Sequence, residues 1–179
     1  MLRTALLTTT LLLAPGFVLA FGTDDTPPAE TATTTECEGT QVWDAKTEAC
    51  VDAVEESNLN DDDRYKAVRE LAYSGSYDRA LGILDTFENA GDDRRLTYLG
   101  FVTRKMGDVD GGMAWYAAAI DVNPDNFLAR SYMGQALLLQ GDRAGALAQL
   151  TEIRARGGRQ TWSEVALNMA LSDGPSPAY

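Results

Sequence analysis

The sequence predicts an all-α fold: an α-solenoid of three antiparallel helix pairs plus a C-terminal capping helix, preceded by a small disulfide-tied hairpin. Three observations carry this. Leu96-x-x-Leu99-Gly100, Gly107-Asp108 and Gly112-x-x-x-Tyr116 recur as Arg130-x-x-Met133-Gly134, Gly141-Asp142 and Ala146-x-x-x-Leu150. Gly100 and Gly134, and again Gly107 and Gly141, therefore stand 34 residues apart. From position 61 onward, apolar residues return at three- and four-residue spacing, as one buried face of a helix requires. The only two cysteines, Cys37 and Cys50, bracket a short stretch ahead of the repeats.

The elements follow in order. Residues 1–20 read as a signal peptide: Arg3 supplies the positive start, 5–13 are mostly apolar, Pro15-Gly16 breaks any helix, and Val18-Leu19-Ala20 offers small residues for cleavage. An uncleaved anchor is the alternative, because 4–21 is at the short edge of a membrane span. Without Arg3 the mature chain carries a net charge of -13. Residues 21–36, with Pro27-Pro28, five threonines after the Asp24-Asp25 pair and almost no apolar side chain, predict a flexible linker. In 37–52, Thr40, Val42 and Trp43 favour a strand and 44–47 a turn, which makes a hairpin tied at its ends.

Tyr65, Val68, Leu71 and Ala72 mark a first helix that ends at Ser74-Gly75-Ser76. A second is expected over 77–90, then helices over about 94–106, 109–122, 127–140, 143–156 and 162–171. Pro124 and Gly157-Gly158 interrupt the chain between them, and 172–179 reads as a disordered tail. Gly75 matches Gly107 and Gly141. Ala80 matches Gly112 and Ala146, positions kept small because paired helices approach closely there. Leu84, Tyr116 and Leu150 fill the space beside them.

This period and pattern resemble the tetratricopeptide repeat. The resemblance covers 61–160, with repeats over about 61–92, 93–126 and 127–160 and a cap over 161–171. The middle repeat matches best. The first has Ala67-Val68 where the family prefers Leu-Gly and is two residues short; the third has Arg156-Gly157-Gly158 where the family has proline. The Cys-bounded segment is similar to short modules that precede helical repeats in exported bacterial proteins. The family implies a curved right-handed array that grips other proteins and implies no chemistry.

The totals agree with a non-catalytic reading. With 27 acidic and 15 basic residues the net charge is -12, which repels nucleic acid and anionic lipid. There is no histidine, so the commonest general base and metal ligand are missing. Neither cofactor nor metal is expected. Cys37 and Cys50 are separated too widely for a two-residue redox motif, so a structural bridge is expected in an exported chain. Asp61-Asp62-Asp63 lacks a calcium-loop spacing and suits the positive end of a helix dipole. Gly111-Gly112 and Gly157-Gly158-Arg159 lack a phosphate-loop ending.

In the family, the first helix of each pair lines a concave groove. Carried onto this chain, the groove comprises Tyr65, Arg69, Tyr73, Arg94, Thr97, Phe101, Arg104, Lys105, Ser131, Gln135 and Leu138, with Leu139 beside them. Arg69, Arg94, Arg104, Lys105 and Arg130 outnumber Asp62 there, which suits an extended peptide with an acidic group or a C-terminal carboxylate. The expected role is an exported, periplasmic adaptor for a protein or peptide partner, with no nucleic acid and no stable anchor after signal cleavage. A structural or oligomerising module, or a wall-polymer or small-molecule binder, is the alternative. The few apolar residues in 54–60 predict that the hairpin is independent of the helices, so reduction would loosen the hairpin alone.

Overall fold

The computed structural model describes residues 28–54 and 59–174. The expected signal peptide, the linker up to residue 27 and the tail from residue 175 lie outside the described residues. Among those described, the order is α1 (Ala32–Thr35), β1 (Gln41–Asp44), β2 (Ala49–Asp52), α2 (Asp61–Tyr73), α3 (Tyr77–Leu84), α4 (Asp93–Lys105), α5 (Val109–Val122), α6 (Phe127–Leu139), α7 (Arg143–Ala155) and α8 (Trp162–Asp173). The chain is mostly helical, with one small hairpin, as expected.

Short polar side chains set most helix starts. Asn60, Asp92, Asp108, Asn126, Asp142 and Thr161 each accept a backbone N–H in the first turn of the helix they precede. Asp108 and Asp142 do so at equivalent places in the repeat, on the amides of Gly111 and Gly145. Gly75, Gly107 and Gly141 sit at φ of 81°, 106° and 83°, the left-handed turn after the first helix of each pair. The helices pack chiefly as α2 on α3, α4 on α5 and α6 on α7, with α8 against α6 and α7. Ala80, Gly112 and Ala146 are buried at these contacts, and so are Leu84, Tyr116 and Leu150. Arg154 ties α7 to α8 through Glu164 at 2.7 Å.

The second helix is shorter than the pattern suggests. It stops at Leu84 instead of continuing to residue 90. Side chains satisfy the backbone there in place of helical bonds: Arg95 donates to the carbonyls of Leu84 and Ala90, and Asp61 accepts the amides of Glu88 and Asn89. Phe87 still reaches the core. At the other end, α8 runs two residues into the expected tail and closes at Gly174, φ 96°.

The N-terminal segment departs most from expectation. Strands β1 and β2 pair antiparallel, Trp43 opposite Cys50, and Cys37 and Cys50 are bridged with 5.6 Å between their Cα atoms. The disulfide expectation holds. The linker expectation does not hold for its described part, because Thr31 caps α1 and the buried Glu70 carboxylate of α2 holds that turn. It accepts the amide (2.7 Å) and hydroxyl (2.8 Å) of Thr31 and the amide (3.1 Å) and hydroxyl of Thr34. Arg79 of α3 donates to the carbonyls of Thr33, Gly39 and Gln41. Val42, Ala53 and Leu59 belong to the same apolar cluster as Val68, Leu71 and Ile83.

Independence of the hairpin is therefore overturned: it is docked on the first helix pair. Closing its loop is worth about 3 kcal/mol in the chain-entropy model. Reduction of the full chain is expected to lower the midpoint of its helical melt, followed by far-ultraviolet dichroism, in one shared transition. An unchanged helical melt in reductant would contradict this docking.

Candidate functional site

The middle of the fold is a cluster of rings on one face of α2, α4 and α6, most of them edge-on or tilted to one another. Tyr98 and Tyr132 stand at equivalent places in the repeat, with ring centroids 6.4 Å apart. Phe101 is 5.0 Å from Tyr132 and 6.0 Å from Tyr98. Tyr65 meets Tyr98 edge-on at 5.6 Å, and Tyr73 lies parallel to Phe101 at 6.1 Å. Tyr116 of α5 closes the back, 6.1 Å from Tyr132. Burial pushes the phenols of Tyr98 and Tyr132 well above their usual range, and that of Tyr116 up to about 12, although Arg104 opposes the last shift.

Cations lie over these rings. Arg69 and Arg94 sit 5.9 and 5.0 Å from the Tyr65 centroid, and Arg104 and Lys105 sit 5.6 and 5.4 Å from that of Phe101. Arg94 is already neutralised by Asp62 at 2.7 Å and Asp92 at 2.8 Å. Burial would raise the Asp92 carboxyl, but hydrogen bonds from the Arg94 side chain and amide outweigh it and hold it low. Arg104 is 6% exposed and donates through Nε to the Tyr116 hydroxyl at 3.3 Å. Its Nη2 is buried and has no partner among the described residues. Beside it, burial and the Arg104 charge together lower the Lys105 ammonium from its ordinary value. Two adjacent cations raise the local positive potential, which favours an anionic group beside the half-buried Lys105 ammonium.

The expected groove residues divide. The structure brings Tyr65, Arg69, Tyr73, Phe101, Arg104 and Lys105 together. Thr97 and Ser131, each 1% exposed, are instead interior polar groups. Thr97 accepts from Asn126 at 2.9 Å and donates to the Asp93 carbonyl, which joins α4 to α6. Leu138 packs against the apolar cluster that α7 and α8 supply, Ala146, Leu150, Ile153, Leu167 and Leu171, and so faces away from the rings. Arg130 turns the same way, to the Pro124 carbonyl and Gln149, so it adds no charge to the ring face. Leu139 is exposed. Gln135 is 1% exposed but lines a cavity of about 160 Å³ against α8. A larger cavity, about 360 Å³, opens beside Tyr65, Arg94 and Asn126 toward the start of α8.

The sequence reading missed Tyr98, Tyr132 and the contribution of α8. The 34-residue separation of the two tyrosines was the available signal. The three acidic residues at the start of α2 part company. Asp61 takes Arg64 and two loop amides, Asp62 takes Arg94, and Asp63 takes Lys66. No group of three or more metal-ligating side chains occurs among the described residues. No helix among them is long and apolar enough to cross a membrane. No family model matches the chain, and neither a curated protein nor a solved structure matches it.

Proposed function

We propose that this chain is an exported, non-catalytic adaptor of the tetratricopeptide-repeat kind, acting in the periplasm. It binds an extended, acidic segment of a protein partner in a concave groove formed by the first helices of successive pairs. The observation that carries the reading is the pair Arg104 and Lys105 over the Phe101 ring, which lies parallel to Tyr73, with Arg69 over the neighbouring Tyr65 ring, in a chain of net charge -12. Such a field attracts anionic peptide and aligns it by its carboxylates, while the rings supply apolar area at low entropic cost. The 34-residue recurrence supports the family assignment, and the Cys37–Cys50 bridge supports an oxidising compartment.

The test is recovery of a partner from envelope extracts by the mature protein and by an Arg104→Glu, Lys105→Glu double variant. Charge reversal at a desolvated site is expected to lower recovery about tenfold or more. Equal recovery by the two proteins, with their helical signals matched, would remove the groove from the function.

A further inference from the structure

The disulfide-tied hairpin does not close fully onto α2. A cleft of about 330 Å³ stays open between them, at the small end of the range for small-molecule sites, roughly 300–1,000 Å³. Its lining comes from Thr31 to Glu70 alone, so α4, α6 and α8 take no part. From α2 it takes Asp63, Lys66 and Glu70. The ring face of the same helix carries Tyr65 and Arg69, each one residue before Lys66 and Glu70, and one residue is about 100° round a helix. The cleft is therefore separate from the peptide groove.

Val42 and Leu59 bring apolar surface to it from the core. Trp43 lines it too, half-buried and outside both apolar clusters. The Trp43 indole N–H makes no hydrogen bond among the described residues, although the Trp43 amide donates to Thr33. A large ring with an apolar body and an uncommitted donor is a binding wall rather than core. The charges of the cleft are balanced. Glu70 is 6% exposed and accepts four hydrogen bonds from Thr31 and Thr34, so it closes the floor. The reachable charges are two of each sign. Asp63 pairs with Lys66 at 3.3 Å, Asp44 accepts from the Lys46 amide and the Thr47 hydroxyl, and the Lys46 ammonium is exposed.

An anion entering the cleft meets Asp44 and Asp63, and a cation meets Lys46 and Lys66. A neutral ligand rich in hydroxyls escapes both penalties. Each hydroxyl donates and accepts, so carboxylates and ammoniums at the lip both serve it through charge-assisted bonds.

We propose that the cleft between the hairpin and α2 is a site for a neutral saccharide. The apolar face of a pyranose ring lies against Trp43, and its hydroxyls reach Lys46, Lys66, Asp44 and Asp63 at the lip. Cys50 stands opposite Trp43 in the hairpin, so the Cys37–Cys50 bridge holds a binding wall as well as a fold.

The probes are two neutral disaccharides, cellobiose and diacetylchitobiose, with deacetylated chitobiose and a hyaluronan disaccharide as cationic and anionic counterparts. Each is titrated into the oxidised full chain at neutral pH and followed by calorimetry and tryptophan fluorescence. At least one neutral sugar is expected to saturate and to bind about tenfold more tightly than either charged one. Trp43→Ala, with its helical melt matched to the parent, is expected to weaken that binding about tenfold or more. Lys46→Glu, an exposed change, is expected to keep the fold and shift the preference toward the cationic sugar. The Arg104→Glu, Lys105→Glu variant is expected to bind sugar as the parent does, which separates failure of this site from failure of the groove. No saturation by either neutral sugar overturns the site, and so does binding that Trp43→Ala leaves unchanged. A parent that prefers a charged sugar overturns the neutral ligand.

Discussion

Raising the pH from 9 to 11 is expected to remove about 4 kcal/mol of folding stability, more than any single surface change would. The cause is the buried ring cluster. In the unfolded chain Tyr98, Tyr116 and Tyr132 lose their phenolic protons near pH 10. In the fold, burial holds all three protonated beyond that point, Tyr116 up to about 12 and the other two well above the usual range. Over that window the unfolded state binds fewer protons than the folded one, so stability falls as pH rises. Each phenol contributes about 1.4 kcal/mol per pH unit, fully present below pH 10 and lost toward the folded values. Lys105 pushes weakly the other way, since burial already favours its neutral form in the fold. Urea titrations at pH 9, 10 and 11 check this, with Tyr98→Phe expected to flatten the slope by about a third. A stability independent of pH up to 11 would mean that the phenols reach solvent.

Gly112→Leu is expected to cost more than about 3 kcal/mol and to leave the chain unfolded or partly folded at 37 °C. A Cβ at Gly112 would lie 2.8 Å from the Gly100 carbonyl oxygen and 2.7 Å from the Arg104 Cβ. Neither atom can turn away, because one is helix backbone and the other is fixed to it. A Cβ at Gly100 would meet the Tyr116 ring at 2.6 Å, so the crossing of α4 and α5 is tight from both sides. Gly112→Ala should cost about 1–3 kcal/mol. Ala146, fully buried at the matching place, carries a Cβ that the last pair accommodates. Thermal melts of the two variants against the parent decide the matter. A Leu variant as stable as the parent would show that the crossing is free to open.

Much of the fold was legible because its causes are local or periodic. Caps such as Asp108 and Asp142 act on amides three residues away, and Gly107 and Gly141 turn the chain where a side chain would be strained. The small position at Gly112 and its bulky companion Tyr116 follow from one helix lying close on another, which the repeat makes visible twice. Only two cysteines were present to pair in the hairpin.

The candidate site was legible only in part. Helical spacing assigns a residue to a face but does not say what that face meets. Thr97 and Ser131 share a face with the rings yet serve as interior links, whereas Leu138, by its position, belongs to the next layer.

The sequence by itself determined the helix pairs, their period, their close-packed glycine and the disulfide. These depend on backbone preference and on spacings within one repeat. Tertiary structure alone decided that Glu70 and Arg79 dock the segment beginning at Thr31, from 36 to 46 residues away. It alone decided that Arg94 pairs with Asp62, 32 residues away, while Arg104 keeps an unsatisfied donor. Charge and hydrogen-bond state depend on which oxygen arrives within about 3 Å, and for groups this far apart in the chain only the packed fold brings that oxygen into place.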